Sequence, residues 1–170
     1  MKFFSSLALL ASAVAATPIL IARNTTTNFH LKTTGASNSA HNDLYVYGYH
    51  TGAGLNDAVL TSDVGTASPA FLNGTNVQFA LDTPFPWGLY MVGQNNYGAW
   101  EPVEINTGYG NDGFSVSDNS LQWSEQKGFG GWLVCDWYHN EPQLFYLYKY
   151  IQATIPSSCS KVQLAAEPIS

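Results

Sequence analysis

A chain of 170 residues with 12 acidic against 6 basic side chains has a net charge of −6. Nucleic acid and anionic membrane surfaces need a basic footprint, so this balance excludes both as favoured partners. Charged residues are 11% of the chain and apolar ones 45%, enough for a sizeable core under a polar, largely uncharged surface.

The first element is a leader. Lys2 supplies a positive start, and Phe3 to Ala16 form a short apolar run rich in small residues. "ASAVAATP" offers small residues for cleavage after Ala16 or Ala15, which marks residues 1–16 as a secretory signal peptide. A spanning helix needs about 20 apolar residues, and later apolar runs are broken by polar ones. The chain is therefore expected to be secreted, extracellular or cell-wall associated, with no membrane span. Loss of Lys2 takes the net charge to −7. Residues 17–27 form an N-terminal extension, whose "PILIAR" is either a pro-segment ending at Arg23 or a first strand. A single β-rich domain is expected over 28–170. The sequons at Asn24 ("NTT") and Asn73 ("NGT") are candidate glycosylation sites.

From there the chain reads as strand nearly throughout. Apolar, β-branched and aromatic runs occur at 29–33, 44–50, 58–61, 77–81, 88–93 and 100–106, then at 113–117, 121–124, 131–138, 143–150 and 161–165. Turn residues separate them, most clearly Asn73-Gly74. No helical stripe of useful length interrupts the pattern. The expected fold is all-β, an antiparallel sandwich or barrel of about ten strands. A β-trefoil is the alternative, because "LYVYG" at 44, "LYMVG" at 89 and "LFYLY" at 144 look alike. The intervening residues share no further pattern, so chance likeness among apolar strands is the preferred explanation.

"GWLVCDWYHN" (131–140) has the look of a reactive centre. In a strand, however, Leu133, Cys135 and Trp137 share one face, and Trp132, Val134, Asp136 and Tyr138 share the other. Both faces are mostly apolar, so a central strand of the core is expected, with Trp132, Leu133, Trp137, Phe145 and Leu147 buried. Two cysteines in a secreted chain most simply pair. A Cys135–Cys159 disulfide closes about 25 residues and stabilises by roughly 3.5 kcal/mol in the chain-entropy account. That makes Cys135 a staple, with Trp137 beside it.

Asp136 is the one ionisable group a core does not explain. A carboxyl held between apolar neighbours would have a raised pKa suited to a general acid. The structural reading is preferred: a carboxylate at a sheet end, paired with Lys149 or with backbone amides. A glycan hydrolase needs a second carboxylate across a cleft. Glu101 and Glu104 face opposite sides of one strand, which leaves Glu141 as the nearest partner. His30, His41, His50 and His139 show no ligand spacing, and His139 reads as a solvated turn residue. "GYGNDG" (108–113) matches a dinucleotide fingerprint in letters only, since a strand follows it. The Asn111/Asp112 and Asp118/Asn119 pairs fit no calcium loop. No metal, cofactor or catalytic residue is assigned.

A binding role has more support. "YHTGAGLNDAVL" (49–60) reads as a glycine-bearing loop turned by Asn56-Asp57, either purely architectural, which is the preferred reading, or presenting His50, Asn56 and Asp57 to a ligand. Ordinary core packing explains most of the aromatics, but some of Tyr45, Tyr47, Tyr49, Trp87, Tyr97, Trp100 and Tyr109 would line a surface beside polar groups. Such platforms suit sugars, whose apolar faces stack while their edges hydrogen-bond. Trp87 and Trp100 complete the candidate ligand set.

"YHTGAGLNDAVL", "GWLVCDWYHNEPQLFYLY" and "IPSSCSKVQL" together resemble a family of small secreted proteins of filamentous ascomycete fungi, a domain of unknown function. The resemblance covers about residues 28–166 and implies an extracellular β-rich domain with one disulfide. It brings no catalytic residue. The expected function is a secreted, non-enzymatic β-rich protein, with cell-wall or host glycan as the partner. The alternatives are a small hydrolase using Asp136 and a host-directed effector.

Overall fold

The computed structural model describes residues 27–93, 98–152 and 154–169. Residues 1–16, expected to be a leader, lie outside them, as do "PILIAR", Asn24 and Tyr97. Twelve strands follow in chain order: β1 (Phe29–Thr34), β2 (Tyr45–Gly52), β3 (Leu55–Thr61) and β4 (Ala70–Asn73). Next come β5 (Asn76–Phe79), β6 (Trp87–Met91), β7 (Trp100–Thr107) and β8 (Phe114–Ser117). The last four are β9 (Ser120–Trp123), β10 (Phe129–Asp136), β11 (Pro142–Tyr148) and β12 (Cys159–Pro168). Helix among the described residues is confined to single 3-10 turns at Ser39–His41 and Glu125–Lys127.

The fold is all-β, as the strand periodicity implies, and a barrel rather than a sandwich. Pairing runs β1-β4-β5-β6-β7-β3-β11-β10-β12 and returns to β1, a closed circuit of nine antiparallel strands with β2, β8 and β9 attached. Closure removes most free edges, which would otherwise invite pairing with other chains.

The pairings also recur every four strands. The hairpins β2–β3, β6–β7 and β10–β11 pair with one another through β3–β7, β7–β11 and β11–β3. The remaining strands pair as β4–β5, β8–β9 and β12–β1. They are joined by β1–β4, by β9–β12 and by a bond from the Phe114 amide to the Thr75 carbonyl. This matches the strand connectivity of a β-trefoil except at β5 and β8, which form no ladder with each other. The sequence likeness dismissed as chance thus has a structural counterpart, with its third copy misplaced. "LYVYG" and "LYMVG" fall on β2 and β6, whereas the matching strand of the third unit is β10 and "LFYLY" lies on β11.

Two local expectations need correction. Ala70–Asn73 forms a strand that the sequence did not suggest, being too short to show a period. Asn56 and Asp57 do not turn the chain; they lie within β3, and the turn is at Ala53–Gly54. Gly54 takes φ +75°, the left-handed conformation that glycine adopts without strain.

β10 is buried on both faces, as its apolar sequence requires. Trp132 and Val134 enter the main core with Leu31, Val46, Leu60, Leu89, Ile105 and Leu144. Leu133 and Cys135 enter a second cluster with Phe145, Leu147 and Cys159, against which Trp100, Trp137 and Ile155 pack. Cys135 and Cys159 face each other across the β10–β12 ladder and form the expected disulfide. Trp137 lies beside it but is only half-buried.

Candidate functional site where the three hairpins meet

Mutual pairing of the hairpins sets Asp57 of β3 directly opposite Glu104 of β7. Directly opposed residues have Cβ atoms about 5 Å apart, and like charges in that position repel. Both carboxylates line a recess of about 250 Å³, together with Pro102, Trp137, Tyr138, Gln143 and Phe145.

Each acid is held by donors that offset the repulsion. His139 Nε2 lies 2.6 Å from Asp57 Oδ2, and the Tyr138 hydroxyl donates to the same oxygen at 3.3 Å. Asn106 Nδ2 donates to Glu104 Oε2 at 2.6 Å. The His139 ring is enclosed between Tyr49 and Tyr138, with centroids at 4.2 and 4.0 Å. His139 is therefore not the solvated turn residue its place after β10 implied: its side chain is 8% exposed. Gln143 is buried in the recess wall, and its Oε1 has no partner among the described residues. Nearby, burial raises the pKa of Tyr47, helped by the charge of Glu141 and by Tyr49.

The Asp57–His139 pair fixes and polarises an imidazole, the arrangement that activates a nucleophile when one adjoins the second ring nitrogen. Among the described residues, His139 contacts Asp57, Tyr49 and Tyr138, and no serine or cysteine bonds to it.

The sequence-derived candidates separate into different places. Asp57 is in the recess. Asn56 is buried and structural, its amide nitrogen donating to the Ile105 carbonyl at 3.0 Å and its backbone N–H to Asn106 Oδ1. His50 is exposed and reaches Asn56 Oδ1 at 3.4 Å. Trp87 packs in the main core with Nε1 donating to Thr83, so its ring forms no surface platform. Trp100 packs on the second cluster. Tyr109 is exposed, and Asn73 is exposed at the hairpin tip, where its Nδ2 donates to Gln78.

Asp136 ends β10 with its side chain 63% exposed, so it is not the desolvated carboxyl the sequence suggested. Its partner is His41 rather than Lys149, with Nε2 3.0 Å from Oδ1, and Lys149 pairs with Glu125. His41 is fully buried, and its Nδ1 has no partner among the described residues. Asp136 shares a recess of about 220 Å³ with Glu141, Trp137 and Asn140.

His139, Glu104, Tyr138 and Gln143 are the site residues that sequence reasoning missed. Asp57 and His139 are 82 positions apart, and no spacing rule links them. The described residues hold no group of three or more His, Cys, Asp or Glu able to bind a metal, and no helix long and apolar enough to cross a membrane.

No curated protein and no solved structure matches the chain. A family model does, over residues 26–168, which include every described strand and the whole recess. On that match the chain belongs to the family described as a domain of unknown function, DUF7907.

Proposed function

We propose that this chain is a secreted, non-enzymatic glycan-binding domain, and that the recess where the hairpins meet takes the sugar. One observation carries the reading: two carboxylates line the same recess as Tyr138, an aromatic residue that is 73% exposed. A pyranose stacks its apolar face on such a ring while its hydroxyls donate to fixed acceptors. Asp57 and Glu104 are those acceptors, and Gln143 Oε1 supplies a third in the wall. Because their protein donors already orient both acids, little side-chain freedom is lost on binding. The leader supports secretion, and one disulfide in a small domain is compatible with an extracellular location.

A glycan array followed by calorimetry tests the reading. Wild type should retain at least one glycan class, and Tyr138→Ala should weaken it about tenfold or more while the fold stays intact. Binding unaffected by Tyr138→Ala would remove the recess as the site.

A second reading, a small glycan hydrolase, rests on the two carboxyl pairs. Asp57 with Glu104, or Asp136 with Glu141, would supply the acid and base of that chemistry. Sugar release that disappears in a stably folded Asp57→Asn or Asp136→Asn variant would establish it over binding alone.

A further inference from the structure

A larger recess of about 530 Å³ lies elsewhere on the barrel, between β9, β10, β11 and β12. Its lining includes Gln122, Glu125, Tyr148, Lys149, Gln152 and Lys161. The volume is within the range of small-molecule sites. Its charge sets it apart, since the recesses around Asp57 and Asp136 are lined by carboxylates and by no lysine. Here two ammonium groups face one acid, in a chain of net charge −6.

Lys149 is neutralised by Glu125. Lys161 is different. It stands on β12 opposite Leu133, it is exposed, and it has no ion pair or side-chain hydrogen bond among the described residues. The other described lysines are paired, Lys32 with Asp43 and Glu167 and Lys127 with Asp112.

The backbone leaves room beside this charge at Gly131, whereas Gly130 packs closely against the Lys149 backbone. The β10–β11 register shifts between Phe129 and Trp132, and the irregularity spans Gly130 and Gly131. Such bulges leave part of a strand unpaired. Gly131 adopts φ +120°, and nothing lies within 4 Å of where a side chain on it would begin. That wall is bare backbone, with the Gln122 and Gln152 amides and the half-buried Tyr148 ring around it.

We propose that this recess is a binding site for a carboxylate-bearing sugar, a uronate unit of an acidic glycan. One unpaired ammonium balances one carboxylate; a phosphate, with nearly twice the charge, would lack a second free cation. The amides and exposed backbone match the hydroxyls, and Tyr148 offers an apolar face. The site is independent of the recess at Asp57.

The test is calorimetry with an α-1,4-linked trigalacturonate and its methyl-esterified, uncharged counterpart, on wild type, Lys161→Gln and Tyr138→Ala. The acid should bind, the ester should bind at least about tenfold more weakly, and added salt should weaken the acid. Lys161→Gln should reproduce the loss about fivefold or more, and its thermal midpoint should match wild type because the side chain is exposed. Tyr138→Ala should leave trigalacturonate binding unchanged. Equal affinity for acid and ester, no effect of Lys161→Gln, or no binding of the acid would each overturn the proposal. Loss through Tyr138→Ala alone would assign the acid to the other recess and overturn it equally.

Discussion

His139 and Asp57 are joined by a 2.6 Å contact across 82 residues, and it ties the turn after β10 to β3. The bond couples two of the three hairpins, and the Tyr49 and Tyr138 rings enclose it. Asp57 is only 13% exposed, so protein donors rather than water must satisfy most of its hydrogen-bonding capacity.

Loss of the imidazole should therefore be felt as stability. His139→Ala leaves a largely covered carboxylate with one fewer donor and is expected to cost about 2–3 kcal/mol. His139→Gln keeps a donor and should recover part of that. Urea titrations of the three proteins, compared at equal m-value, measure the difference; equal midpoints would mean that the pair is incidental.

The two tryptophans that flank Cys135 in the chain should behave differently. Trp132 is 2% exposed within the main core, and its Nε1 donates to the Leu121 carbonyl. Trp132→Ala is expected to cost about 3–5 kcal/mol. Trp137 is half-buried on the second cluster, so Trp137→Ala should cost clearly less, about 1–3 kcal/mol. Reversal of that order by thermal or urea unfolding would contradict the deeper burial of Trp132.

Removing the cross-strand staple should lower stability by about 2–4 kcal/mol in a Cys135→Ala/Cys159→Ala protein. The spectrum of the folded protein should stay that of a β structure, because the β10–β12 ladder carries three further residue pairs. Circular dichroism with chemical denaturation checks both statements.

Asp136→Asn should have a modest effect, about 0.5–1.5 kcal/mol, because the carboxylate is mostly exposed and the amide still reaches His41. His41→Ala should cost more, since it also empties a fully buried site. A larger loss from Asp136→Asn than from His41→Ala would show that the carboxylate has a role beyond holding that ring.

Alkaline pH should destabilise the fold. Burial, aided by the neighbouring Tyr148 and Glu101, raises the pKa of Tyr146 above the usual tyrosine value, and its hydroxyl donates to the Val92 carbonyl at 3.0 Å. A folded pKa above the unfolded one means the stabilisation is complete below about pH 10 and is lost as pH climbs toward the folded pKa. Tyr47 contributes in the same direction. Stability measured from pH 8 to 11.5 should fall above pH 10, and the fall should be shallower in Tyr146→Phe.

The strands were legible because period-two alternation is local: β1 buries Phe29, Leu31 and Thr33 and turns His30, Lys32 and Thr34 outward. The two-faced burial of β10 and the disulfide followed from an apolar run and a count of two cysteines. Only the tertiary structure decided that the strands close into a barrel, and that β10 rather than β11 completes the three-fold pattern. Ladder pairing joins strands far apart in the chain, and an apolar strand carries no mark of its neighbour. The same physics hid the site. Glu104 and His139 look ordinary in sequence and Asp57 stands out only as part of a supposed loop; mutual pairing of the three hairpins brings the three together. Asp136, conspicuous in sequence among its aromatic neighbours, ends a strand in solvent because the sheet stops there.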